Sequence, residues 1–165
     1  MNKFVERLLN VSRFNLKVYD EILADKSAFS TALGVVFLLG FAASIGEGAV
    51  DFVPLVRVTA VTIIALILSI YVTYVLGTKV FPEKEETPDW EKFLSAVSYA
   101  CAPGMFYVLG LFPFLRQIVF LVVSVWLFVS VVAAVRHVMN YTSLGRALIV
   151  SLGGGLLYFM ITVIL

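Results

Sequence analysis

Cysteine and histidine are almost missing: there is one of each, Cys101 and His137, in 165 residues. A disulfide framework, a zinc cage and the usual set of nucleophile, base and orienting group all need more. Charge is scarce too, at 14% of residues, where soluble domains carry roughly 25%. The 12 basic and 11 acidic side chains leave a net charge of +1. No basic surface is therefore available to neutralise phosphates, and nucleic acid is excluded as a partner. Glycine-rich phosphate loops, paired carboxylates and nucleophile elbows are also absent. A soluble enzyme is ruled out, and neither a cofactor nor a metal is expected.

What fills the chain is apolar, 61% of it, and it is gathered into five charge-free runs: residues 27–46, 58–78, 93–115, 117–135 and 147–165. The runs hold 20, 21, 23, 19 and 19 residues, which confines all 23 charges to the other 63 positions. A hydrocarbon core of about 30 Å takes roughly 20 helical residues to cross, so each run is long enough. Barrel strands are shorter and alternate polar with apolar residues, and these runs do neither. The expected fold is all-α: a polytopic membrane bundle of five transmembrane helices, preceded by an amphipathic interfacial helix. Residues 1–26 form the cytoplasmic amphipathic segment and 27–165 the transmembrane domain. The spans lie at about 27–46, 53–77, 93–112, 117–135 and 147–165. A cleaved signal peptide is not expected, because 26 residues of mixed charge precede the first run.

Orientation follows from lysine and arginine, which are retained in cytoplasmic loops. The amino-terminal segment carries five (Lys3, Arg7, Arg13, Lys17, Lys26) and the successive connections carry one, three, one and two. Alternate sides thus hold ten and two, which puts the amino terminus in the cytoplasm and the carboxyl terminus outside.

Turned about 100° per residue, residues 3–23 place Phe4, Leu8, Val11, Val18, Tyr19 and Ile22 on one side and Lys3, Arg7, Arg13, Lys17 and Asp20 on the other. Such a helix either lies along the cytoplasmic surface, apolar face down, or packs against the ends of the bundle.

Within the spans, small residues recur every fourth position: Ala65, Ser69, Thr73 and Gly77; Ala96, Ala100 and Gly104; Ala147, Ser151 and Gly155. Helices in lipid associate by close contact, so these faces are expected to turn inward, or else to serve a homo-oligomer or a membrane-protein partner. Pro103 and Gly104 interrupt the third span, where proline cannot donate to the carbonyl of Tyr99, and a kink is expected. Tyr99, Pro103, Gly104 and Tyr107 are the candidate kink or pathway residues, since transporter sites form where helices break at mid-depth.

The connections supply anchors and contacts. Arg57 and Arg116 stand at the outer face, near Glu47 and Asp51, and pairing among them is expected. Trp90 fits headgroup depth, and Thr87 followed by Pro88 reads as a helix start, with Thr87 the cap and Pro88 the first position. Arg136, His137 and Arg146 form a basic inner turn in which Thr142 or Ser143 can cap the last helix.

The order of these features resembles the Yip family, named for interaction with Ypt/Rab GTPases, whose shared domain has five spans. The resemblance is carried by Trp90 to Phe93, Ala96, Ser98, Tyr99, Ala100 and Pro103, then Leu121 and Trp126, then Arg136, Leu144, Arg146 and Ala147. More weakly, Leu8, Leu9, Val18, Tyr19 and Ile22 match in the leader. It implies a non-enzymatic membrane protein with a cytoplasmic amino terminus. Eukaryotic relatives carry a longer amino-terminal region and act in Golgi and endoplasmic-reticulum traffic. This chain has 26 residues there and no Asp-Leu-Tyr-Gly-Pro stretch, which speaks against GTPase binding. The compact form is similar to prokaryotic members, which implies a plasma-membrane location. The expected role is a membrane-organising scaffold or adaptor in the lipid bilayer; the alternative is a small channel or carrier with its pathway near the kinked third span.

Overall fold

The computed structural model describes residues 3–49, 51–83 and 88–164, and among these there are helices and no strands. Two short helices, α1 (Lys3–Ser12) and α2 (Lys17–Ala24), precede five long ones. These are α3 (Ala28–Gly46), α4 (Phe52–Val75), α5 (Trp90–Ala100), α6 (Arg116–Val138) and α7 (Leu144–Ile164). A π-helical turn, Leu76–Val80, continues α4, and a 3-10 helix, Ala102–Leu111, continues α5. With these extensions, five segments are long and apolar enough to cross a membrane: Ala28–Gly46, Phe52–Val80, Trp90–Leu111, Arg116–Val138 and Leu144–Ile164. The end of the bundle that carries α1 and α2 is called the leader end below, and the opposite end the far end.

The third span is the centre. Of its most apolar stretch 72% is buried, against 22–50% in the other four, and its mean hydropathy is the lowest at 1.4. A helix surrounded by protein needs less apolar surface than one that faces lipid, and Ser95 and Ser98 are buried here. The outer helices keep large apolar side chains exposed, among them Leu121 and Val125 on α6 and Leu156 and Phe159 on α7, as hydrocarbon solvent allows.

Pro103 acts as expected on the helix but goes further than a kink. The α-helical ladder stops at Ala100, and the chain continues for ten residues as a 3-10 helix with Pro103 in its first turn. At about 2.0 Å rise per residue those ten residues advance about 20 Å, so the span crosses with fewer residues than an α-helix would need. The narrower helix lets α3 come very close: a side chain on Gly46 would collide with the Tyr107 carbonyl, and Gly104 fits under Leu39.

Three helices end in the same way. Phe14, Gly48 and Asn140 have left-handed φ values of 58°, 84° and 53°. Around each, paired bonds run back to the last turn: Phe14 N to Val11 O and Asn15 N to Asn10 O, and likewise Gly48 to Ile45 with Ala49 to Ser44, and Asn140 to His137 with Tyr141 to Arg136. This is the Schellman arrangement, which satisfies carbonyls that the helix leaves orphaned.

That motif corrects the expectation of one helix over residues 3–23. The leader breaks at Phe14 into two helices that fold back on the bundle, with Val11, Val18, Tyr19 and Ile22 buried against it. Two further expectations change. Thr87 lies outside the described residues, and α5 starts two residues after Pro88, at Trp90, with extended Asp89 accepting the first bond from Phe93 N at 3.0 Å. In α7 it is Gly154, three residues after Ser151, that faces inward against Ser69 and Thr73, whereas Gly155 is exposed with open space around it.

Candidate functional site

Polar groups gather in three places: the leader end, the far end and a pair of interior chambers. At the leader end the chain begins by tying itself down. Arg7 donates to the Asp25 carboxylate at 2.7 Å, and the other Asp25 oxygen accepts from the Ser27 amide at 2.8 Å and the Ser27 hydroxyl at 2.7 Å. The Ser27 bonds and then the Arg7 bond push the Asp25 carboxyl down to about 2. Asp20 on α2 meets His137 Nε2 on α6 at 2.8 Å, and Tyr19 lies with its ring centre 6.0 Å from the imidazole. Glu83 accepts from the backbone N and the hydroxyl of Thr142 and lies 3.3 Å from the Arg146 guanidinium. Those contacts hold its carboxyl below the usual range. The Tyr141 hydroxyl donates toward the Gly77 and Phe81 carbonyls at 3.1 Å, closing the end of the π-helical turn.

The candidate kink residues separate. Tyr99 is fully buried near the leader end, where its hydroxyl donates to Thr31 at 2.7 Å and its ring lies 6.1 Å from Phe4. Pro103 and Gly104 are buried in the packing of α3 and α6 and border neither chamber. Tyr107 borders both; its hydroxyl shares a 2.8 Å hydrogen bond with Ser124 on α6, and its ring packs on Phe120.

The first chamber, of about 250 Å³, runs between α4, α6 and α7, with Ser69, Thr73, Cys101, Ser151 and Tyr158 among its walls. Its walls carry no charge. Ser69 and Thr73 turn their hydroxyls back onto the carbonyls of Leu66 and Ser69, while the Ser151 hydroxyl has no partner. The second chamber, of about 300 Å³, lies toward the far end and adds Glu47, Arg57, Thr62 and Thr162. Tyr107, Ser124, Tyr158 and Phe159 border both, so the two chambers adjoin there.

Among the interfacial candidates, Arg57 lies inside α4 and borders the second chamber with Glu47. Arg116 donates to the Gly110 carbonyl at 3.1 Å and packs on Gly48. Partial burial raises the Glu47 carboxyl, against the opposing pull of Arg116. Trp90 meets the edges of Tyr71 and Tyr74, both with ring centres 5.5 Å away. Arg136 donates to the Thr142 carbonyl at 3.3 Å. Sequence reasoning missed the Arg7–Asp25, Asp20–His137 and Glu83–Thr142 links, and only the first left a local trace, an Asp two residues before Ser27 at a helix start.

Among the described residues no group of three or more His, Cys, Asp or Glu is close enough to hold a metal. No curated protein and no solved structure matches the chain. The family model of the Yip1 domain matches residues 15–164, from the break in the leader to the end of the last helix. With five helices of membrane-crossing length inside that match, the chain belongs to the Yip1 domain family and is an integral, multi-pass membrane protein.

Proposed function

We propose that this protein works without catalysis, as a scaffold or adaptor that organises the membrane around it, with α1 and α2 as the working element. The observation that carries this reading is the two-sided character of the helix pair. One side is buried on the bundle, while Val5, Leu9, Phe14 and Leu16 stay exposed on the other. A fixed pair with an apolar outer rim at headgroup depth spreads one leaflet more than the other. The ten-to-two division of lysine and arginine supports a cytoplasmic position for the pair. The exposed flanks of α6 and α7 leave room for a second copy or another membrane protein.

Vesicles reconstituted with the whole protein and with a variant lacking residues 1–24 test the reading. The whole protein is expected to shift vesicle diameter or shape and the truncated one to insert without doing so. Equal effects from both would overturn it. The rival, a small channel or carrier, has one observation in its favour: the two chambers meet at Tyr107. Solute release lost on Tyr107→Phe would support it, and vesicles that stay tight would reject it.

A further inference from the structure

We infer that the two chambers form a binding site for one membrane phospholipid, with an acyl chain in the first chamber and the headgroup at Glu47 and Arg57. Three observations converge. First, the chamber is open and not sealed: Ser124 on α6 and Gly155 and Phe159 on α7 border it and are exposed, Gly155 with open space around it, and all three lie within membrane-crossing segments, where an opening leads to the bilayer. Second, the interior suits hydrocarbon. Leu39, Leu66, Ile70, Val97, Leu127 and Phe128 line it, and the hydroxyls of Ser69, Thr73, Tyr107 and Ser124 are already turned onto protein acceptors or onto each other, which leaves those of Ser151 and Tyr158. Third, polarity rises in the right direction. The far-end chamber carries a carboxylate and a guanidinium, Glu47 and Arg57, which complement the ammonium and phosphate of a zwitterionic head.

The dimensions agree. From Arg57 to Thr73 is 16 residues of α4, or about 24 Å at about 1.5 Å per residue. One leaflet is half of a core of about 30 Å, so the cleft is deep enough to take a complete chain. Its volume falls in the range of small-molecule sites, roughly 300–1,000 Å³, once both chambers are occupied. A free fatty acid is the poorer fit, because its single carboxylate could pair with Arg57 but would bring no cation to Glu47.

The probes are a zwitterionic phospholipid and a free fatty acid, each carrying a photoreactive diazirine in the chain, incorporated in vesicles with the full-length protein. Adducts are then mapped by mass spectrometry. The phospholipid is expected to label the chamber wall at Cys101, Ser151 or Tyr158. That labelling should fall several-fold in Gly155→Phe, where added atoms meet open space at the side opening, and in Arg57→Gln. It should be unchanged in Gly34→Phe, a second uncrowded glycine that borders neither chamber. Interior labelling by the fatty acid alone would overturn the inference. So would adducts confined to outward residues such as Leu121, Leu152 and Leu156, or interior adducts of equal yield in all variants. No leader residue borders either chamber, so the labelling result is separable from the scaffold reading.

Discussion

At Gly46 a missing side chain sets how closely two spans can approach. A Cβ there would collide with the Tyr107 carbonyl, which is backbone and cannot rotate away. Gly46→Ala is therefore expected to cost about 1–3 kcal/mol, the range for overpacking a close-packed interior, read as a lower unfolding midpoint in detergent. Phe14 is the opposite case. Its left-handed φ of 58° is one that only glycine adopts without penalty, and its ring is exposed. Phe14→Gly should therefore stabilise the leader by up to about 1 kcal/mol, seen as slower amide exchange in α1 and α2. Asp25 makes the leader sensitive to acid. Its carboxyl is held at about 2 in the folded protein, below the value of about 3.9 for a free aspartate. The contribution is therefore complete above about pH 4 and is lost as pH falls toward about 2. Proteolysis of the leader against pH, using an acid-active protease, should show protection declining in that window, and Asp25→Asn should flatten the decline.

The two leader helices are held by burial more than by charge, and magnitudes decide it. The Asp20–His137 pair is partly exposed, and such pairs contribute about 0–1 kcal/mol. Tyr19 is almost wholly buried beside Val18 and Ile22, and deleting a buried ring costs about 3–5 kcal/mol. Asp20→Ala should thus raise protease access to the leader only slightly, whereas Tyr19→Ala should release it while α3 to α7 remain inserted. Comparable effects from the two variants would mean that the ion pair governs docking. The amphipathic pattern of residues 3–23 identified the apolar face but not its partner, because periodicity fixes which residues share a face and not what covers it. Nor did it locate the break: phenylalanine carries no turn signal, while Gly48 and Asn140, which end α3 and α6 in the same geometry, are residue types that do. Pro103 marked the interruption of the third span. The chain beyond it winds as a 3-10 helix packed on α3 and α6, and a local reading of sequence does not supply such neighbours. The same limit explains why Tyr107 was found as a candidate and Ser124, its hydrogen-bond partner, was not.

At the scale of the molecule, the five crossings were legible because charge is excluded from hydrocarbon at high cost, and that rule acts on the sequence directly. The chambers were not, since a cavity is the space left by side chains from different helices. The same charge rule bears on orientation. An odd number of crossings separates the two ends, and the leader end holds Arg7, Lys17, Lys79, Lys92, Arg136 and Arg146, whereas the far end holds Arg57 and Arg116. Retention of lysine and arginine on the cytoplasmic side therefore predicts a cytoplasmic leader and an external carboxyl end. The chain supplies its own clean background for the measurement: Cys101 is its one cysteine and is fully buried. With single cysteines placed at Glu6 and at Val163, an impermeant thiol reagent added to intact cells should label Val163→Cys at once. Glu6→Cys should react only after the membrane is opened. Labelling of both from outside, or of Glu6→Cys alone, would reverse the orientation or remove a crossing, and with it the cytoplasmic position that the scaffold reading gives to α1 and α2.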